Sequence, residues 1–253
     1  LAEALVQQQF IVAAVNHHGN TAVEPRQWPA GFVLPGERVR DLSLLVDRML
    51  EHPQFGSRVD PERIGAAGFS LGGYTVLATT GTIFTIEAWT ARCAEEDSHP
   101  ACLLPPEAEF SFDDLRVQAD QDPAFQAGIE RSKDPVIDSR IRAVFAIAPA
   151  LMTLLGDNDP PALVIPTRVV LAEADRQILA DETESVVRRL FPNAEIVRIP
   201  KAGHYSFLAP CTFWSGMLVG ICRDRGRVDR SELHAQVAAD AARFFNQTLN
   251  GYH

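Results

Sequence analysis

The sharpest chemical signal in the chain is the run Gly68-Phe69-Ser70-Leu71-Gly72-Gly73. It follows a stretch that reads as a strand and precedes one that reads as a buried helix, so Ser70 stands at a tight strand-to-helix turn. Such a turn forces the serine into a strained backbone conformation, and glycines two residues before and after it let strand and helix approach each other. The hydroxyl is pushed clear of the sheet, while the helix N-terminus beneath it favours developing negative charge. A serine hydroxyl is a poor nucleophile at neutral pH and needs a general base that is itself oriented by a carboxylate. The chemistry these residues point to is covalent acyl transfer.

In a strand–turn–helix setting of this kind the acid and the histidine follow the serine along the chain. His204, in Lys201-Ala202-Gly203-His204-Tyr205, comes just after the last strand, where a loop returns over the carboxyl edge of a sheet. His234 falls in a helical pattern and reads as a surface or packing residue, and His253 is a chain end. For the acid, a strand ending at Ala172 runs into Glu173-Ala174-Asp175, which sets Asp175 just past a strand end. Glu173 is its nearest competitor, able to act itself or to orient the loop, whereas Asp157 and Asp159 read as solvated turn residues. The backbone N–H of Leu71 is expected to form half of an oxyanion hole, and the other half normally comes from a loop after an earlier strand. The pair His17-His18 offers metal or substrate ligands on one reading. Consecutive residues at a strand end point in opposite directions, which favours a structural or rim role. Trp28, Phe32, Phe207, Phe213 and Trp214 either line an acyl site or belong to the core.

The elements that must position these groups follow from hydrophobic period. Residues 1–8 read as the end of a helix, and the apolar run Phe10 to Val15 reads as a strand buried on both faces. A loop containing Pro and Trp covers 21–35. Within 36–50, Val39, Leu42, Leu45, Val46 and Met49 share one helical stripe. A turn at Asp60-Pro61-Glu62 leads to a strand over 63–69 and a helix over 71–80. Further strands are expected over 143–148, 167–172 and 194–199, with helices over 181–190 and 231–249. The last of these turns Leu233, Val237, Ala241, Phe244, Phe245 and Leu249 inward. Strands alternating with helices predict a mostly parallel sheet covered on both faces. Between Gly81 and Asp138 the alternation breaks down, which reads as a cap-like insertion in a single catalytic domain spanning 1–253.

Composition narrows the function classes. The 253 residues are 46% hydrophobic and 22% charged, the profile of a globular protein rather than a fibrous or low-complexity one. Against 33 Asp and Glu stand 23 Lys and Arg, a net charge of −10 that repels phosphate backbones and anionic lipid. Nucleic acid is therefore not an expected partner. No stretch approaches the roughly 18–20 apolar residues of a membrane-spanning helix. The four cysteines fall as two close pairs, Cys93 with Cys102 and Cys211 with Cys222. They read either as two disulfides stapling loops of an exported protein or as free buried thiols. Metal binding is disfavoured, because neither pair has Cys-x-x-Cys spacing and no histidine lies at ligand spacing from both partners.

The chain resembles the α/β-hydrolase superfamily, and within it the dienelactone hydrolases that are similar to platelet-activating-factor acetylhydrolases. The likeness is carried by Ala67-Gly68-Phe69-Ser70-Leu71-Gly72-Gly73-Tyr74, by Ile147-Ala148-Pro149-Ala150, and by Gly203-His204-Tyr205-Ser206-Phe207-Leu208 followed by Cys211. Ile221-Cys222-Arg223-Asp224, Asp229-Arg230 and Phe244-Phe245 add to it. The resemblance implies the α/β-hydrolase fold, triad roles for Ser70, Asp175 and His204, and an ester hydrolase needing neither metal nor organic cofactor. It also implies a periplasmic or secreted bacterial protein, in keeping with the disulfide reading. Two departures stand out. His18 occupies a position where the group more often has Pro. The sequence also opens at the helix before what resembles the fourth strand of the group, so two or three strands and the His-Gly loop carrying the second oxyanion donor lie outside it. The expectation is a piece of a longer precursor, or of a nicked chain whose N-terminal companion fragment stays bound. The function expected is a serine esterase acting on a small-molecule ester. The alternatives are the same triad acting on another acyl bond, as a peptidase, amidase, thioesterase or acyltransferase, or a non-catalytic binding protein that keeps the triad geometry.

Overall fold

The computed structural model describes residues 1–21, 23–155, 161–210, 220–222 and 228–250. Four strands, β1 (Ile64–Phe69), β2 (Ile141–Ile147), β3 (Thr167–Ala172) and β4 (Glu195–Ile199), lie side by side in that order. Every pairing is parallel. Parallel neighbours require crossovers, and helices fill those between β1 and β2 and between β3 and β4. The helices are α1 (Ala2–Gln7), α2 (Pro29–Val33), α3 (Pro35–Leu50), α4 (Leu71–Ala78), α5 (Ile86–Glu95), α6 (Phe112–Gln121), α7 (Pro123–Arg131), α8 (Ala180–Leu190) and α9 (Arg230–Leu249). The sheet is thus parallel and covered by helices on both faces, as the alternation of strands and helices predicts.

Alternation along the strands divides the core into two layers. On one face Val144, Ala146, Val169 and Leu171 pack with Val39 of α3, Tyr74 and Leu77 of α4, and Val187 and Leu190 of α8. On the other, Ala143, Phe145, Ile147, Val170 and Ala172 meet Leu5 of α1 and Leu233, Val237, Ala241, Phe244, Phe245 and Leu249 of α9. The inward residues expected for the last helix are all buried there. The α3 stripe is shallower, since only Val39 of its five members is fully covered.

One expected element does not form. The run Phe10 to Val15 is not a strand, and Ile11 and Val12 remain 39% and 37% exposed. Only Phe10 finds a packing partner, edge-on to Phe245 with ring centroids 6.3 Å apart. An apolar run specifies a preference for burial but not a ladder partner, and β1 pairs with β2 alone. The predicted loop over 21–35 also contains a short helix, α2, which begins at Pro29, a residue suited to a first helical turn.

Segment 81–138 has its own local order. Thr85 caps α5, Ser111 and Asp114 form a reciprocal capping box on α6, and Asp122 caps α7. A small apolar cluster of Val33, Leu34 and Phe125, with Phe32, Trp89 and Leu115 around it, joins these helices to α2. Phe32 therefore belongs to a core. Cys93 and Cys102 are disulfide-bonded, with Cα atoms 5.6 Å apart, and the Trp89 indole N–H donates to the Ala101 carbonyl at 3.2 Å. Cys222 is also disulfide-bonded, whereas Cys211, Phe213 and Trp214 lie outside the described residues.

Closing a loop with a sequence separation of nine removes denatured-chain entropy worth about 2–3 kcal/mol. The double substitution Cys93→Ser with Cys102→Ser is accordingly expected to lower the unfolding free energy by that amount in urea titration. Thiol titration of the denatured, non-reduced protein should find neither cysteine reactive. Reaction at both would contradict the bridge.

Candidate active site

Three groups that chemistry could use sit just past the carboxyl ends of three different strands. Ser70 follows β1 directly and is the N-cap of α4, with φ 54° and ψ −120°. That conformation is strained for a side-chain-bearing residue, at a cost of about 1–3 kcal/mol. Backbone bonds on both sides hold it: the Ser70 N–H donates to Ile147 C=O at 2.8 Å, and the Ser70 carbonyl accepts from Ala150 at 3.0 Å and Tyr74 at 3.1 Å. Gly68 is required by close approach, because a Cβ there would lie 2.1 Å from the Gly72 carbonyl oxygen. Gly73 faces Ile147 O and Pro149 in the same way, at 3.0 Å. The motif Ile147-Ala148-Pro149-Ala150 is thus the outer wall of the serine turn.

Asp175 follows β3 in a tight loop. Its Oδ1 accepts from the backbone N–H groups of Gln177 at 2.8 Å and Ile178 at 2.9 Å, leaving Oδ2 for the His204 Nδ1 at 2.7 Å. All three are bonds in which the carboxylate oxygens accept. With the proton of the ring on Nδ1, Nε2 is the bare nitrogen, and it accepts from Ser70 Oγ at 2.8 Å. The Asp175 and His204 side chains are 1% and 3% exposed, so water competes little for either bond. The imidazole lies against Phe69, with centroids 4.9 Å apart, and Phe69 in turn packs on Phe207. Phe207 is therefore packing around the histidine.

The structure brings Ser70, Asp175 and His204 into one connected line and leaves Glu173 out of it. Glu173 turns to the Arg198 guanidinium at 3.1 Å, part of a surface network that includes Glu184. Asp157, Asp159 and His253 lie outside the described residues. His17 and His18 diverge: His17 bonds Asp41 at 2.7 Å with its side chain 11% exposed, while His18, in a turn, bonds Glu24 at 2.5 Å with its side chain 79% exposed. Burial, reinforced by the nearby Arg38 charge, lowers the His17 pKa despite the opposing Asp41 carboxylate. Arg38 is itself buried, donating to Thr75 of α4 at 3.1 Å and to Asn20 at 3.4 Å, and desolvation pulls its pKa down to about 10. No group of three or more His, Cys, Asp or Glu able to hold a metal ion occurs among the described residues.

The structure adds residues that sequence reasoning missed. His204 opens a short 3-10 turn, His204–Phe207, in which the Gly203 N–H donates to Ser206 Oγ at 3.0 Å. His234, read as a surface or packing residue, donates from Nε2 to the Ser206 carbonyl at 3.1 Å and so braces this turn from α9. Arg230 closes the other side, with its guanidinium on the carbonyls of Ala209 at 3.2 Å and Ile221 at 2.7 Å. Tyr205 gives its hydroxyl proton to Glu107 of the 81–138 segment. Burial, and then this bond to a carboxylate, raise the Tyr205 pKa. Arg230 had a trace in the sequence, in the Asp229-Arg230 pair that adds to the resemblance. The Tyr205–Glu107 contact, 98 residues apart, had none.

Among solved structures the chain is similar to a ferulic acid esterase from Streptomyces cinnamoneus, with 20% identity, a TM-score of 0.47, and coverage of 90% of this chain and 52% of that one. It is also similar to an alpha-beta serine hydrolase homologue from Coxiella burnetii (14% identity, TM-score 0.37, coverage 87% and 64%). A third is an esterase from Pyrococcus furiosus (12% identity, TM-score 0.39, coverage 86% and 64%). This chain thus spans between 52% and 64% of the length of those structures. No curated protein sequence matches it. Residues 7–214, most of the chain, match the alpha/beta hydrolase family, and the chain belongs to that family.

Proposed function

We propose that the protein is a serine ester hydrolase that works through an acyl-enzyme on Ser70. The observation that carries this reading is the unbroken line from Asp175 Oδ2 to His204 Nδ1 at 2.7 Å and from His204 Nε2 to Ser70 Oγ at 2.8 Å. Both bonds already have the length a general base needs to act. The chain's alternating strands and strained serine turn make this arrangement more than a chance contact, since each group sits on the end of its own strand.

In the reaction, Ser70 Oγ attacks the ester carbonyl carbon while His204 Nε2 takes the hydroxyl proton. Asp175 holds the ring in the required tautomer and stabilises the imidazolium that forms. Negative charge gathers on the former carbonyl oxygen, where the Leu71 N–H, at the first position of α4 and without an intrahelical acceptor, is aimed to receive it. Collapse breaks the bond to the alkoxy oxygen, and His204 returns its proton to that oxygen. Water, deprotonated by the same Nε2, then attacks the acyl-enzyme and releases the acid. The finer grouping with dienelactone hydrolases rests on the motifs around Ser70 and His204. The bridged cysteines support export to an oxidising compartment.

Hydrolysis of p-nitrophenyl acetate tests the reading. Ser70→Ala is expected to lower kcat/KM by at least about 10³-fold, and an organophosphate should form its adduct on Ser70. Retention of a tenth of the wild-type rate by that variant would rule out the acyl-enzyme route. Asp175→Asn should lower kcat by roughly 10⁴-fold, because it favours the wrong histidine tautomer. Glu173→Gln, which breaks only a surface ion pair, should stay within about twofold of wild type. A larger loss from Glu173→Gln than from Asp175→Asn would reassign the acid.

A further inference from the structure

The line from Asp175 to Ser70 is complete only while the Ser70 hydroxyl is free. Once Ser70 Oγ carries an acyl group it has no proton to donate, and its 2.8 Å bond to His204 Nε2 is lost. The hydrogen bond left to the imidazole among the described residues runs from Nδ1 to Asp175 Oδ2, at 2.7 Å. One bond at the ring edge fixes a pivot, so the ring plane has to be held by packing. Among the described residues two aromatic rings touch it. Phe69 of β1 lies 4.9 Å away at a tilt of 35°, and Tyr205 meets the imidazole edge-on, at 5.3 Å and 80°.

The Phe69 ring is carried by a strand, whereas half-buried Tyr205 is fixed through its far end, where the hydroxyl donates to the Glu107 carboxylate. That acceptor is itself held in place. Glu107 stands in a turn closed by the Ala108 N–H on the Pro105 carbonyl at 2.9 Å, with Pro106 presetting the backbone before it. Next along the chain, Glu109 donates its N–H to the Gln27 side chain at 3.1 Å and accepts from the Gln27 N–H at 3.4 Å. Phe110 then packs edge-on against Phe32, with centroids 5.0 Å apart. The Gln177 side chain faces the same Tyr205 hydroxyl, and the Asp175 charge is near enough to help raise the Tyr205 pKa. Gln177 also gives its own N–H to Asp175 Oδ1 at 2.8 Å. One hydroxyl thus joins the 81–138 segment to the loops that carry the base and its carboxylate.

We infer that Tyr205, anchored through its hydroxyl by Glu107, is the positioning residue that keeps the His204 imidazole directed in the acyl-enzyme of the proposed esterase. The inference rests on the reading of Ser70 as the nucleophile. In deacylation Nε2 takes a proton from water and the water oxygen bonds to the acyl carbon. The bond from that carbon to Ser70 Oγ then breaks, and Oγ takes the proton back from Nε2. Through this step Nε2 must point at the water with no serine hydroxyl to guide it. Acylation starts with both imidazole bonds intact and depends less on Tyr205.

Hydrolysis of p-nitrophenyl acetate separates the two steps, with the burst of p-nitrophenol reporting acylation and the steady state reporting deacylation. Tyr205→Phe removes the hydroxyl and keeps the ring. It is expected to lower kcat at least about fivefold while the burst rate and kcat/KM stay within about twofold, so that KM falls with kcat. Intact mass should show the acetylated chain accumulating during turnover. Glu107→Ala should reproduce this pattern, and Glu107→Gln, whose amide oxygen still accepts the hydroxyl, should recover most of the loss. Tyr205→Phe combined with Glu107→Ala should lose no more than either alone, because both remove the same bond. A kcat for Tyr205→Phe within about twofold of wild type would overturn the role. Losses that multiply in the double variant, or Glu107→Gln as impaired as Glu107→Ala, would do the same. A burst rate falling as far as kcat, together with a lowered urea midpoint, would make Tyr205 a structural residue only and overturn it as well. In each of these cases the inactivity of Ser70→Ala would leave the acyl-enzyme reading standing, whereas a wild-type protein inert to the ester would overturn both.

Discussion

The backbone of Ser70 is held where a side-chain-bearing residue does not rest by choice, and the architecture on both sides of it exists to keep it there. At φ 54° and ψ −120° the residue costs about 1–3 kcal/mol in isolation. Three backbone hydrogen bonds of 2.8–3.1 Å oppose that cost, two of them from the loop that ends β2. Without β2 in register beside β1, the Ile147 and Ala150 partners would be absent and the turn would have no reason to persist. The strain thus depends on a parallel pairing that runs from Ile64↔Ile141 to Phe69↔Ile147.

That pairing is in turn secured by burial on two faces. Residues of β2 alternate between the layer under α4 and α8 and the layer under α9, and Ala143, Val144, Phe145 and Ala146 are fully covered. Each face of the sheet is thus packed under helices, as a parallel sheet requires. The same arrangement sets the ends of β1, β3 and β4 at one edge, the place where open parallel sheets present their chemistry. Ser70, Asp175 and His204 need not be brought together by long-range folding of loops. They lie one, three and five residues past the ends of β1, β3 and β4.

The sequence was legible where chemistry and period coincide. The serine turn shows itself through Gly68, where a Cβ would strike the Gly72 carbonyl, but on its far side close packing against Ile147 and Pro149 requires Gly73, while a Cβ at Gly72 would meet open space. The amphipathic pattern of residues 231–249 shows itself through six inward positions, all buried in α9. Phe10 to Val15 misled because an apolar run carries no information about which strand, if any, will hydrogen-bond to it. Asp175 could be preferred to Glu173 but not separated from it by sequence. What divides them is direction along the chain after β3: one faces back beneath the sheet edge to His204, and the other faces Arg198 in solvent. His234 was read for its place in a helix, and no local pattern could reveal that its ring reaches a carbonyl 28 residues away.

Segment 81–138 gives the site its remaining shape, and its anchors explain how a stretch without strands can do so. Its ends meet the sheet region through the Thr80↔Ile137 bridge and through Asp138, whose carboxylate is held by Arg140 at 2.7 Å and thereby kept below the usual carboxylate range. Between the ends, buried His99 bonds Glu182 of α8 at 2.9 Å, and Glu107 bonds Tyr205. The two interior anchors fall on the elements that follow β3 and β4, which carry Asp175 and His204. The Cys93–Cys102 bridge lies just beside the first anchor, so the loop that presents His99 is closed covalently rather than by a large core of its own. The segment also reaches the core itself: Phe84 lies in the layer under α4, and its N–H donates to the Tyr74 hydroxyl at 2.8 Å. The Ser70–His204–Asp175 line is thus set by the strand ends, and segment 81–138 reaches the residue beside its histidine through the Glu107–Tyr205 bond.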